Sequence, residues 1–103
     1  MAVRTVVNYE TQNDITGVGD SFVVDPSRNL NVLCQLTAGT PVAGAKVQIT
    51  LDDPEKITAG TAVWVDSPLG AKLASGCESI LAPVTGVRLS VTDGTWAMKV
   101  RQG

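Results

Sequence analysis

The sequence predicts an all-β protein, specifically an antiparallel β-sandwich of jelly-roll or immunoglobulin-like type with about seven to nine short strands. Apolar and polar residues alternate with period two in several segments, and proline or glycine interrupts nearly every stretch of ten residues. No segment keeps the 3.6-residue apolar period of a helix. A chain of 103 residues is long enough for one modest core. We therefore expect a single β-sandwich domain over residues 17–103, preceded by an N-terminal strand or extended arm over residues 1–16.

The N-terminal quarter of the chain predicts short elements. Val3–Val7 is rich in β-branched residues, whereas Asn8–Thr16 is polar and rich in turn residues, so we expect a loop in that second segment. Gly17–Asp20 is interpreted as a turn. Ser21–Asp25 then predicts a short strand, which Pro26 ends because proline cannot donate to a strand ladder.

Two longer alternating runs form the predicted centre of the sandwich. Leu30–Ala38 and Ala45–Leu51 each place apolar side chains on one face and polar side chains on the other. Gly39–Pro41 is expected to break the first run, and Asp52–Lys56 is expected to be a polar connection. The shorter predicted strands are Thr61–Asp66, Ala71–Leu73 and Cys77–Ala82.

The last predicted element is a hairpin around Asp93-Gly94, because an Asp-Gly connection between alternating runs favours a type I′ turn. With Thr92 opposite Thr95, the facing pairs are Val91 and Trp96, Leu89 and Met98, and Val87 and Val100. These six apolar side chains share one face, and a slip of one residue would destroy that agreement. The expected packing partners are Val32, Leu36, Val47 and Ile49. On the polar face the same register places Arg88 opposite Lys99.

The composition gives no support to an enzyme. The chain contains no histidine, which removes Ser-His-Asp and Cys-His nucleophiles and histidine metal sites. Asp52, Asp53 and Glu55 lack the spacing of a calcium loop and are interpreted as solvated acids. Asp66 and Glu78 are further candidates by type only, and a domain of this length has little room for a catalytic cleft. We predict no catalytic residue, cofactor, metal site or small-molecule substrate.

Charge, hydropathy and cysteine usage exclude other classes. A net charge of −2 argues against general nucleic-acid binding. No apolar run is long enough to cross a bilayer, and the first residues lack the features of a secretory signal. We expect a protein made in a cytoplasm, without a membrane partner. Cys34 and Cys77 are interpreted as small buried residues, although a disulfide between them stays open.

Positive charge concentrates near the C-terminus. Residues 84–103 contain Arg88, Lys99 and Arg101 against the single acid Asp93, whereas the rest of the chain carries nine acids and five basic residues. One interpretation is a solvated face. The other is a basic patch that meets an acidic surface on a partner or on a neighbouring copy of the chain.

Five segments of the chain resemble a class of small structural proteins of tailed bacteriophages. These segments are Ile15–Ser21, Val47–Asp53, Thr61–Asp66, Gly86–Thr92 and Lys99–Gly103. In such proteins a strand ending in a Leu-Asp turn precedes a tryptophan-containing strand, and the chain ends in a hairpin finishing Val-Arg-Gln-Gly. The resemblance covers about the last four-fifths of the chain, and its motifs are strand and turn chemistry.

The resemblance implies a virion component, assembled in the host cytoplasm, and most directly a head decoration or cement protein. Such a protein binds the major capsid protein, stabilises the head lattice and is often a homo-oligomer. A rigid β-module with edge strands and an N-terminal arm suits that role. The candidate interface residues are Arg88, Lys99 and Arg101, with Val3, Arg4 and Tyr9 of the arm.

Two alternatives remain open. The first is a tail or head–tail junction structural protein, which a ring of different symmetry would favour. The second is a carbohydrate-binding β-sandwich module, which needs exposed aromatic side chains on a flat face. Exposure of both Trp64 and Trp96 would favour that module, and burial of both would exclude it.

Overall fold

A computed structural model describes residues 2–6, 9–25, 32–42, 44–67, 75–80, 84–92 and 94–102. These residues form nine β-strands and one short helix. The elements in chain order are β1 (Val3–Thr5), β2 (Tyr9–Ile15), β3 (Ser21–Val23), β4 (Val32–Val42), β5 (Ala45–Thr50), α1 (Pro54–Ala59), β6 (Val65–Asp66), β7 (Gly76–Ile80), β8 (Gly86–Val91) and β9 (Gly94–Gln102).

The strands form two sheets that pack as a β-sandwich, which confirms the predicted fold class. One sheet has five strands in the order β1-β3-β8-β5-β6, and the other has four in the order β2-β9-β4-β7. All neighbouring strands are antiparallel except β1 and β3, which pair in parallel. The first two strands join different sheets, because β1 pairs with β3 and β2 pairs with β9. Both strands of residues 1–16 are therefore part of the sandwich.

The core lies between the two sheets and is aliphatic, apart from the aromatic Phe22 and Trp96 and the sulfur-containing Cys34 and Met98. Each layer contributes side chains at alternate strand positions, as a period-two pattern requires. The five-stranded sheet supplies Phe22, Ala45, Val47, Val87, Leu89 and Val91, and the four-stranded sheet supplies Ile15, Val32, Cys34, Leu36, Trp96, Met98 and Val100.

The predicted pairing of the last two strands is wrong. β8 pairs with β3 and β5, whereas β9 pairs with β2 and β4, so these consecutive strands lie in opposite sheets. The six apolar residues assigned to one hairpin face are all buried, but they face each other across the core. Gly94 does have a positive φ of 84°, as the Asp-Gly signal requires. The chain there crosses from one sheet to the other instead of forming a hairpin.

This corrected pairing can be tested by cross-linking in a Cys77→Ser background. The Thr11→Cys/Lys99→Cys variant is expected to form a disulfide on oxidation, because Thr11 and Lys99 are paired neighbours on β2 and β9. Paired residues of antiparallel strands have Cα atoms roughly 4.5–5.5 Å apart, within disulfide range. The Arg88→Cys/Lys99→Cys variant is expected not to cross-link, as judged by intact mass. A disulfide in the second variant and none in the first would contradict this pairing and support a hairpin of β8 and β9.

Two polar segments differ from their sequence predictions. Tyr9–Ile15, predicted as a loop, is strand β2 at the edge of the four-stranded sheet. It has no apolar alternation because only Ile15 is buried, and a bulge between Gln12 and Ile15 places Asp14 at φ 55°. Asp52–Lys56, predicted as a connection, runs into helix α1, with Pro54 in its first turn and Gly60 in left-handed conformation at its end.

Strand β4 also continues through the predicted break at Gly39–Pro41. Its register with β9 shifts between Ala38 and Val42, so the break is a bulge within the strand. A Cβ at Gly39 would collide with the carbonyl oxygen of Thr95, which explains why glycine stands there. The predicted strand Ala71–Leu73 lies outside the described residues.

The two cysteines point to opposite sides of the four-stranded sheet. Cys34 pairs in register with Glu78 and is buried, whereas Cys77 is the neighbour of Gln35 and is exposed. Both thiols are free, which answers the open question of a disulfide. Burial raises the pKa of the Cys34 thiol to about 12, so the interpretation as a small buried residue fits Cys34 and is wrong for Cys77.

Candidate functional site

The outer face of the four-stranded sheet brings together three of the predicted interface residues. Because side chains alternate along a strand, residues paired in register share a face. Tyr9, Arg101, Leu33 and Ser79 form one row across the sheet, and Thr11, Lys99, Gln35 and Cys77 form the next. We call these eight residues the basic face.

The basic face is open and carries charge of one sign. Lys99 and Arg101 are exposed, the eight residues include no carboxylate, and neither cation forms an ion pair with a described residue. Beside these charges, Tyr9 is 65% exposed and Leu33 is 46% exposed. The basic face therefore combines two cations, which form no ion pair with a described residue, with an exposed aromatic ring and an exposed aliphatic side chain.

Arg88 and Val3 lie elsewhere, on the other sheet. Both residues line a surface cleft beside helix α1, together with Trp64. The predicted patch of Arg88, Lys99 and Arg101 therefore does not exist as one surface, because β8 and β9 belong to different sheets. Lys99 and Arg101 stay together, since they are two residues apart on one strand.

Arg4 contacts other residues of the same chain at one edge of the sandwich. Its Nε donates to Oδ2 of Asp20 at 2.9 Å, and its Nη1 lies 3.3 Å from Oε1 of Glu10 and donates to the carbonyl oxygen of Thr11 at 2.8 Å. The hydrogen bond with Asp20 is the main cause that raises the pKa of Arg4. Arg4 also lies 5.9 Å from the centre of the Phe22 ring.

These contacts join the two sheets through their N-terminal strands. Arg4 belongs to β1 of the five-stranded sheet, whereas Glu10 belongs to β2 of the four-stranded sheet. Gln12 of β2 adds a second link, because its Oε1 accepts a hydrogen bond of 2.8 Å from the Asp20 backbone N–H. Arg4 thus closes one side of the sandwich, and its charge is compensated within the chain.

Sequence reasoning missed two features of these surfaces. The first is the exposure of Leu33. It lies two residues before Gln35 on the same strand, so the alternation of β4 was a signal that both side chains point to the outer face. The second is the cleft beside Arg88. It depends on helix α1, and a six-residue helix is too short to show an apolar period in the sequence.

Within the described chain, no helix is long and apolar enough to cross a membrane. No group of three or more Cys, Asp or Glu side chains among the described residues is arranged to hold a metal ion. Trp96 is buried and Trp64 is half-buried under Arg88, so the exposed tryptophan pair of a carbohydrate platform is not found.

The fold and these surfaces define a two-sheet β-sandwich with an exposed basic face and a cleft on the opposite sheet. The chain matches no known protein family, and no curated protein is significantly similar to it.

Proposed function

We propose that the protein is a non-enzymatic structural protein of a tailed-phage particle, and that it decorates and stabilises the capsid. The basic face carries this proposal. It is an exposed sheet surface on which Lys99 and Arg101, without an ion-pair partner among the described residues, are available to carboxylates of a capsid lattice, and Tyr9 and Leu33 add apolar contact area. The sequence resemblance to phage structural proteins supports the same role.

The β-sandwich suits this role physically. Hydrogen-bonded strands hold the backbone of the eight residues of the basic face in fixed positions, so little backbone conformational entropy is lost on docking. Repeated weak contacts over a lattice then add up through avidity, above all if the protein is a homo-oligomer. In this proposal the protein acts in the virion, its partner is the major capsid protein, and no substrate or cofactor is involved.

The Lys99→Glu/Arg101→Glu variant is expected to lose co-sedimentation with purified capsids of the phage that carries the gene. Reversing two charges at a contact with an acidic surface turns attraction into repulsion, and each exposed pair contributes up to about 1 kcal/mol. We expect binding at least tenfold weaker, since about 1.4 kcal/mol corresponds to tenfold. Binding of the unmodified protein should also weaken as salt rises.

The matched control is Lys56→Glu, which reverses an exposed charge on helix α1, away from the basic face. It should leave capsid binding unchanged. Unchanged binding by the double variant would contradict the assignment of the basic face, and a protein that never sediments with capsids would contradict the decoration role.

A tail or head–tail junction protein is the alternative within the same proposal. The mass in solution, followed by imaging of labelled particles, separates the two locations. Label spread over the head supports decoration, whereas label confined to one vertex or to the tail supports the alternative.

A further inference from the structure

A cleft of about 450 Å³ lies on the outer side of the five-stranded sheet, opposite the basic face. Its walls carry both polar and apolar surface and come from strands β1, β3 and β8, helix α1 and the segment between α1 and β6. The residues that matter for its chemistry are Val3, Ile57, Ala59, Ala62, Trp64 and Arg88. Arg88 supplies the only formal charge among the described residues that line the cleft.

The Arg88 side chain is held in place by a polar chain along the sheet. Its Nε donates to Oε1 of Gln48 at 2.8 Å, and Gln48 Nε2 donates to Oδ1 of Asp66 at 3.0 Å. Oδ2 of Asp66 lies 3.0 Å from Nζ of Lys46, which fixes the far end of this chain. The guanidinium carbon of Arg88 also lies 4.5 Å from the centre of the Trp64 ring. The guanidinium is therefore positioned before any ligand arrives.

The charge of Arg88 has no acidic partner among the described residues, in contrast to that of Arg4. No carboxylate of the described residues contacts the Arg88 guanidinium, and its two terminal nitrogens have no hydrogen-bond partner among them. Partial burial lowers the pKa of Arg88, whereas the hydrogen bonds that Arg4 donates to Asp20 and Glu10 raise the pKa of Arg4. The two terminal nitrogens are not among the buried polar atoms without a partner, so they face solvent and are accessible to a ligand.

We propose that this cleft binds a carboxylate of a peptide, with Arg88 as its anchor. The two terminal nitrogens form the parallel pair of donors that matches the two oxygens of a carboxylate. Trp64 and the exposed Val3, which both line the cleft, contact the aliphatic carbons next to that carboxylate. This site lies on the sheet opposite the basic face, so it stands whether or not the basic face binds a capsid.

The test is a titration of the ¹⁵N-labelled protein, following the Arg88 Nε–H and Trp64 indole N–H signals. The probes are N-acetyl-leucine, which has a terminal carboxylate, and N-acetylisoglutamine, which has a side-chain carboxylate. N-acetyl-leucinamide is the neutral match to the first. We expect saturable shifts with a carboxylate probe and binding at least about tenfold weaker for the amide, because the amide cannot accept the paired, charge-assisted hydrogen bonds of a carboxylate.

The stronger of the two carboxylate probes identifies the source of the group, a chain end or an acidic side chain. Equal binding of N-acetyl-leucine and its amide would overturn the carboxylate assignment. Equal binding of inorganic sulfate would overturn it as well, because the site would then accept any anion. The absence of any saturable shift would overturn the site itself.

Two substitutions test whether Arg88 is the residue that binds the carboxylate probes. Arg88→Lys keeps the charge but loses the paired donors and the flat stacking surface, so we expect binding about tenfold weaker. Lys56→Gln removes one exposed positive charge that does not line the cleft and should bind like the unmodified protein. Equal weakening in both variants would mean a general charge effect and would contradict the site. If Arg88→Lys fails to fold, the comparison of acid and amide on the unmodified protein still decides the question.

Discussion

Leu89→Ala is expected to lower the free energy of unfolding by about 2–5 kcal/mol, the range for truncating a buried leucine. Leu89 is fully buried at the centre of β8, where it pairs with Val47 and faces the other sheet. Its removal takes away apolar contacts and leaves a cavity between two rigid layers that cannot close around it. Since about 1 kcal/mol shifts Tm by roughly 4–8 °C in a domain near this size, Tm should fall by about 10 °C or more.

Leu51→Ala is the matched control, because it removes the same atoms from a side chain that is 73% exposed. Its free energy of unfolding should change by less than about 0.5 kcal/mol. Urea unfolding followed by circular dichroism measures both variants. Similar losses in the two variants would mean that Leu89 does not lie in the core, and would contradict the placement of β8 between β3 and β5.

The inward and outward positions of β8 and β9 were predictable, but their partners were not. Alternation with period two states which side chains share a face, and all six predicted apolar residues are buried. It does not state whether two strands lie side by side or stack across a core, because both arrangements bury the same side chains. The Asp-Gly signal also failed to separate them, since a positive φ at Gly94 serves a crossing between sheets as well as a hairpin.

The edge of the sandwich was unpredictable for a different reason. β2 is held by backbone pairing with β9 and by polar contacts to Arg4 and Asp20, so its sequence carries no apolar period. Apolar periodicity detects strands that bury one face, and an edge strand that buries only Ile15 escapes it. The sequence suggested Arg4 as a contact to a partner. Its hydrogen bonds to Asp20, Glu10 and Thr11 within the chain were not predictable, because the edge strand β2 was not predicted.

The candidate surfaces were also predictable within a strand and unpredictable between strands. Lys99 and Arg101 share a face because they lie two residues apart on one strand, which the sequence alone determines. The separation of Arg88 from them depends on sheet order, and the cleft that it anchors depends on where helix α1 packs. Contacts within one strand were therefore predictable, whereas contacts between elements required the structure.

Glu78→Met is expected to raise the free energy of unfolding by about 1–3 kcal/mol, the cost of a buried polar group without a partner. Glu78 is 1% exposed and pairs with the buried Cys34 on the inner side of the four-stranded sheet. Neither carboxylate oxygen has a hydrogen-bond partner among the described residues. Methionine has a similar length and a flexible thioether, so it can fill the space with little strain.

Glu55→Met provides the control, because Glu55 is exposed on helix α1 and loses only a solvated carboxylate. Its stability should stay within about 0.5 kcal/mol of the unmodified protein. Thermal unfolding of the three proteins at neutral pH gives the comparison. A lower Tm for Glu78→Met would show that the buried carboxylate stabilises the native state. A higher Tm would mean that the inner face of β7 keeps an acid at a cost in stability, at the only position where a described carboxylate is fully buried.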